Sequence, residues 1–237
     1  MHRVVALFVA GVALSGCGGA STTTSPSPAT ETTTPPATST AAARPALTEA
    51  ALDGLLLTPA EVDAATGLSG LSVAATANAL ASDIQLPPDA APEKLACVGI
   101  AGTAEAQAYE GSGAAGVRDQ LLRSSGADGA ARTAAQSVIL FDTPARASAF
   151  VDSSAEKWPL CREFSGADST STVGEVATDD GVVRATITAT NAAGDTVTCR
   201  RALTAANNAV IEGSACGAAA SDAAVAIVRE IAAKANG

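Results

Sequence analysis

Five cysteines constrain this chain most: Cys17 closes an apolar N-terminal run, and Cys97, Cys161, Cys199 and Cys216 lie far downstream, in the part expected to fold. The run Val4–Leu14 is 11 residues long behind His2 and Arg3. That is short of the ~20 residues that span a bilayer and suits the apolar stretch of an export signal. Export would place the four downstream cysteines in an oxidising compartment, where an even set pairs into disulfides. Three pairings are open. Cys199 and Cys216 sit eight positions either side of Asn207-Asn208. A two-residue hairpin turn there would set them face to face on adjacent strands, within bridging distance, leaving Cys97 with Cys161. The same register puts Leu203 opposite Glu212, an awkward match that a bulge or a longer turn would relieve. Aromatic residues make up only 3% of the chain, so two cross-links of about 3 and about 4 kcal/mol would matter to its stability.

Leu14-Ser15-Gly16-Cys17 resembles the bacterial lipobox, in which small residues admit a signal peptidase and the cysteine sulfur carries diacylglycerol. Residues 1–16 are then a lipoprotein signal peptide, and lipid on Cys17 makes the membrane a partner of the mature chain. Each buried methylene contributes about 0.8 kcal/mol, so two or three acyl chains hold firmly. The whole chain carries a net charge of −10, and losing Arg3 takes it to −11. Such a surface is repelled by anionic lipid and by nucleic acid, which excludes general phosphate-backbone binding. Residues 17–45 are rich in Thr, Ser and Pro, with Glu31 and Arg44 as the only charges. Lacking large apolar groups, they are expected to be a disordered tether, reaching several tens of Å at ~3 Å per residue. Thr22–Thr24 and Thr32–Thr34 suit O-glycosylation.

The only histidine, His2, falls in the segment expected to be removed. Ser-His-Asp and Cys-His catalysis, imidazole acid–base chemistry and His-ligated zinc go with it. No metal or cofactor is expected.

Residues 46–237 are expected to form one domain. Thr58-Pro59-Ala60-Glu61 reads as a helix start with a capping box, Val62 and Ala65 facing inward and Gly67 ending it. Leu55-Leu56-Leu57 suits core packing. Pro87-Pro88 and Pro92 mark a loop before Cys97, and Thr103–Tyr109 suits a second helix. Val138-Ile139-Leu140-Phe141 suits a buried strand. Thr143-Pro144 opens a helix with Ala147, Phe150, Val151, Ser154 and Trp158 on one face, stopped by Pro159. Alternation from Val173 to Ile211, punctuated at Gly181, Asn191–Asp195 and Asn207-Asn208, predicts an antiparallel meander. Ser221 and Asp222 start a last helix with Ala224, Val228, Ile231 and Ala235 inward. The class is α+β: a central antiparallel sheet flanked by helices, with two disulfides.

Three strings invite chemistry. Gly111-Ser112-Gly113-Ala114-Ala115-Gly116 fits G-x-G-x-x-G, but a predicted helix precedes it where the dinucleotide fingerprint needs a strand. Ser154-Ala155-Glu156-Lys157 fits S-x-x-K, yet S-D-N and K-T-G are missing and Ser154 lies on the inward stripe. Asp179-Asp180 precedes Gly181 as turns do, whereas glycosidase carboxylates must converge in a cleft.

Six strings, in order, carry a family likeness. They are Leu56-Leu57-Thr58-Pro59-Ala60-Glu61-Val62, Tyr109-Glu110-Gly111-Ser112-Gly113, Gln136-Ser137-Val138-Ile139-Leu140-Phe141, Trp158-Pro159-Leu160-Cys161, Cys199-Arg200-Arg201-Ala202-Leu203, and Asn207-Asn208-Ala209-Val210-Ile211 with Ala215-Cys216. Together they resemble the PknH-like extracellular sensor domain, found on a mycobacterial receptor Ser/Thr kinase and in related actinobacterial lipoproteins. The resemblance implies one α+β domain, the pairs Cys97–Cys161 and Cys199–Cys216, and a cleft for an unidentified ligand. These 237 residues hold no kinase domain. The expectation is a lipid-anchored, non-catalytic binding domain at the outer face of the cytoplasmic membrane. Its partner would be a small molecule, a cell-wall fragment or an envelope protein. Tyr109, Arg118, Trp158 and Arg184 are the candidate ligand contacts. The alternatives are an exported hydrolase using Ser154 and Lys157 or paired carboxylates, and an adaptor lipoprotein without ligand.

Overall fold

Val138, Ile139, Leu140 and Phe141 are all buried, although neighbours along a strand point to opposite faces. Their strand must therefore be covered on both sides, and it is. The computed structural model describes residues 45–87, 89–125, 131–166, 168–218 and 221–237. Residues 1–44, which include the expected signal peptide, Cys17 and nearly all of the expected tether, lie outside the described residues. In chain order the elements are α1 (Pro59–Thr66), β1 (Ser72–Ala77), α2 (Pro92–Ala101), β2 (Ala114–Ser125), β3 (Ala131–Phe141), α3 (Pro144–Lys157), β4 (Glu163–Ser165), β5 (Ser169–Asp179), β6 (Val182–Asn191), β7 (Thr196–Ala206), β8 (Ala209–Cys216) and α4 (Ala223–Asn236). Short 3-10 turns lie at Glu49–Gly54, Ala106–Tyr109 and Trp158–Leu160.

The strands form one antiparallel sheet in the order β1-β2-β3-β8-β7-β6-β5-β4. Val138, Leu140, Ile211 and Ala202 pack on one face against α1 and α4, through Val62, Ile227, Val228 and Ile231. Ile139, Phe141, Val210 and Leu203 pack on the other against α2 and α3, through Ala96, Ile100, Ala147 and Val151. The result is the α+β architecture expected, in three layers. On β8, Gly213 lets α4 approach: a Cβ there would meet the Ala224 carbonyl at 2.9 Å.

Local signals read from the sequence correspond to local structure. Thr58 and Glu61 make the reciprocal capping box. The β5–β6 turn holds Asp180 and Gly181 at positive φ, a turn rather than a carboxylate pair. Asn207-Asn208 is a two-residue turn that sets Cys199 opposite Cys216, and both disulfides form as expected, Cys97–Cys161 and Cys199–Cys216. The same turn anchors the first described residues. Asn207 Nδ2 donates to the Pro45 carbonyl at 3.0 Å, and Asn208 exchanges bonds with Leu47 at 2.7 and 3.2 Å.

Two expectations are corrected. The second helix is α2, where a loop was expected before Cys97; Pro92, read as a loop marker, occupies the first turn, where a missing N–H costs nothing. Thr103–Tyr109 is helical only in the 3-10 turn Ala106–Tyr109. Strands β1, β2 and β4 had no clear signal: β1 is almost wholly Ala, Ser and Thr, the large apolar residues of β2 do not alternate, and β4 is only three residues long.

Candidate functional site

Glu212 faces Leu203 directly, with no bulge or longer turn in the hairpin. The misfit is resolved from outside the hairpin. The Glu212 carboxylate, 3% exposed, pairs with Arg201 Nη2 at 3.1 Å. It also accepts the Ala104 N–H at 2.5 Å and the Tyr109 hydroxyl at 2.9 Å. Ala104 reaches it only in a left-handed conformation, φ 52°. Arg201, 1% exposed, donates as well to the Gly99 and Gly102 carbonyls at 3.1 and 3.0 Å. These are unpaired carbonyls at the C-terminus of α2, where a cation also meets the negative end of the helix dipole. Arg201 lies 5.5 Å from the centroid of the Trp158 ring. Burial first, then the Glu212 carboxylate, push the Tyr109 phenol well above its ordinary pKa.

Above this network α2 and α3 enclose a cleft of about 390 Å³, within the range of small-ligand pockets. Leu95 and Ala96 of α2, Phe150 and Lys157 of α3, and Trp158 and Leu160 beyond it form the walls; Leu203 and Glu212 lie at the floor. Cys97 and Cys161 cross-link the two walls. Tyr109 stands behind, stacked on Phe150 with ring centroids 4.2 Å apart.

Of the four candidate contacts, the structure brings two together. Trp158 lines the cleft, and Tyr109 is buried beside it with its hydroxyl on Glu212. Arg118 lies elsewhere on β2, held by Asp53 at 2.7 Å and Glu49 at 3.3 Å. Arg184 is exposed on β6 beside Glu175 and Arg200, in a depression of only about 20 Å³. Ser154 donates to the Phe150 carbonyl at 2.9 Å, a back-bond within its own helix. Asp180 pairs at 3.4 Å with Arg229 of α4. Sequence reasoning missed Arg201, Glu212, Leu95 and Leu160; only the Leu203–Glu212 mismatch hinted at the first two. Among the described residues, no group of three His, Cys, Asp or Glu is placed to hold a metal ion, and no helix is long and apolar enough to cross a membrane.

Next to the network, the Glu105 side chain folds over Gly102, where any Cβ would collide with it. Its carboxyl receives one long bond from the Ile84 N–H at 3.4 Å. Burial raises its pKa, the Ile84 amide lowers it less, and Asp83, Glu212 and Asp119 raise it further. A carboxyl that is harder to ionise when folded loses stability as pH rises from the ordinary carboxylate range through the folded value. Glu105→Gln is therefore expected to gain on the wild type between pH 4 and pH 7 in urea unfolding; a constant difference between the two proteins contradicts this.

A family model described as the PknH-like extracellular domain matches residues 47–234. The serine/threonine-protein kinase PknH of Mycobacterium bovis is 29% identical over 173 residues, covering 70% of this chain and 28% of the kinase. PknH of Mycobacterium tuberculosis is also 29% identical, over 70% of this chain and 26% of the kinase. The match thus spans little more than a quarter of these relatives. The crystal structure of the extracellular domain of PknH from Mycobacterium tuberculosis superposes with a TM-score of 0.69 at 27% identity, covering 81% of this chain and 98% of that one.

Proposed function

Because the chain belongs to the PknH-like extracellular domain family, we propose that it is a lipid-anchored, non-catalytic protein that binds a small ligand outside the cytoplasmic membrane, in the cleft between α2 and α3. The observation that carries this reading is the cleft itself: an apolar groove whose walls are joined by Cys97–Cys161 and whose floor rests on a buried ion pair. A cross-linked site needs little ordering on binding, and that raises affinity. Cys17 carries the lipid, residues 17–45 are the tether, and the domain stands clear of the bilayer. Ser154 and Lys157 take no part in acyl transfer, since the hydroxyl is bonded within its helix.

Trp158 is the chain's only tryptophan, so its emission reports on the cleft. Small-molecule fractions of a cell-envelope extract are expected to change that emission and to raise the melting temperature, with about 2.7 kcal/mol of stabilisation at a hundredfold excess over Kd. Flat responses to every fraction would favour an adaptor without ligand. Covalent labelling of Ser154 by a fluorescent β-lactam would favour the hydrolase. Cys17→Ala is expected to release the protein from membranes; a variant that stays membrane-bound contradicts the anchor.

A further inference from the structure

The cleft is polarised along its length. Phe150, Ser153, Ser154 and Lys157 follow one face of α3, so its two ends stand ~10 Å apart at 1.5 Å per residue. At one end, Lys157 has no carboxylate partner among the described residues. The indole of the adjoining Trp158, only 3% exposed, turns its Nε1 edge toward Gly99 on the cleft wall, 3.2 Å from where a Cβ would stand. Its N–H has no acceptor among the described residues, and a donor left unpaired when a site is desolvated is costly. At the other end, Glu110 adjoins Tyr109, which stacks on Phe150. Between the ends the lining is mostly apolar. Leu95 and Leu160, 40% and 44% exposed, lie along the walls, and they are two of four strongly exposed large apolar residues among the described ones.

Two donor-bearing residues of the same cleft end, Lys157 and Trp158, call for an acceptor-rich anionic group, and the apolar lining calls for hydrocarbon. Glu110 repels an anion from the far end and so sets the direction of entry. The geometry points to a long-chain carboxylate as the ligand, its head on Lys157 Nζ and the Trp158 indole N–H and its chain laid over Leu160, Leu95 and Phe150. This assignment rests on the proposal of a ligand-binding cleft and adds the ligand's chemistry to it.

The test uses the exported mature chain carrying Cys17→Ser, which has no acyl groups of its own. Hexadecanoate, kept below its critical micelle concentration, is expected to change Trp158 emission and raise the melting temperature. Lys157→Glu, at an exposed position, is expected to weaken hexadecanoate about tenfold or more while leaving hexadecanol binding unchanged. Leu160→Asp is expected to weaken both. Hexadecanol binding as tightly as hexadecanoate, or Lys157→Glu binding hexadecanoate like the wild type, overturns the assignment. Hexadecyl phosphate binding more than tenfold tighter than hexadecanoate overturns the carboxylate head in favour of a phosphate. If hexadecanoate leaves Trp158 unchanged while an envelope extract alters it, the ligand class falls and the cleft reading stands. If neither alters it, both fall.

Discussion

Glu212→Leu is expected to destabilise the domain by about 3–5 kcal/mol, because it leaves the Arg201 guanidinium buried without its counter-charge. The same change strips the acceptor from the Tyr109 hydroxyl and the Ala104 N–H. At about 2–4 °C per kcal/mol for a domain of this size, melting should fall by roughly 6–20 °C. Arg201→Met combined with Glu212→Leu should recover most of the loss, since removing both charges also removes the cost of desolvating them. That double variant additionally removes the Arg201 Nε, which has no acceptor in the folded protein. Urea unfolding of the single and double variants measures the coupling. A single variant within 1 kcal/mol of the wild type would show that the pair is not a structural centre of the domain.

Replacing Cys97 and Cys161 together by Ala should cost about 4 kcal/mol, because the bridge closes a loop with a sequence separation of 64. Losing Cys199 and Cys216 should cost about 3 kcal/mol, for a separation of 17. The second bridge joins strands already held by a ladder; the first joins α2 to the end of α3, across the cleft. The two double variants should therefore differ in function as well as in stability. The Cys97/Cys161 variant should lose the Trp158 ligand response, and the Cys199/Cys216 variant should keep it. Equal responses from two folded variants would show that the cleft does not depend on the cross-link.

What could be read ahead of the structure was what short-range rules govern. The Thr58–Glu61 box, the stripe on α3, the Asp180-Gly181 turn and the Asn207-Asn208 hairpin each depend on residues within a few positions of one another. The hairpin register carried the Cys199–Cys216 pairing with it. Failures came where an element is small-residue, irregular or very short. β1 is almost wholly Ala, Ser and Thr, β2 sets Val117, Leu121 and Leu122 among charged and small residues without alternation, and β4 is three residues long, so their pairing is decided by the strand alongside, not by their own pattern. The helix at Pro92 was lost to a proline whose two meanings, loop marker and first-turn residue, differ only in whether the residues after it go on to form a helix.

Glu212 shows where the site itself stopped being legible. Beside Leu203 it looked like an error of register, and the register was right. Its partners are Arg201 on the facing strand and Ala104 and Tyr109, more than a hundred positions away. Arg118 and Arg184 lie away from the α2–α3 cleft for the complementary reason, since charge type alone does not say which part of a sheet a side chain will face. Read by itself, the chain determined its α+β class, its helix caps, its tight turns and the partner of each cysteine, because those depend on local backbone chemistry and on counting along a hairpin. Tertiary structure alone decided that Lys157 and Trp158 face α2 across an apolar groove above a buried ion pair, because such neighbours are chosen by the packing of whole layers, which no spacing along the chain records.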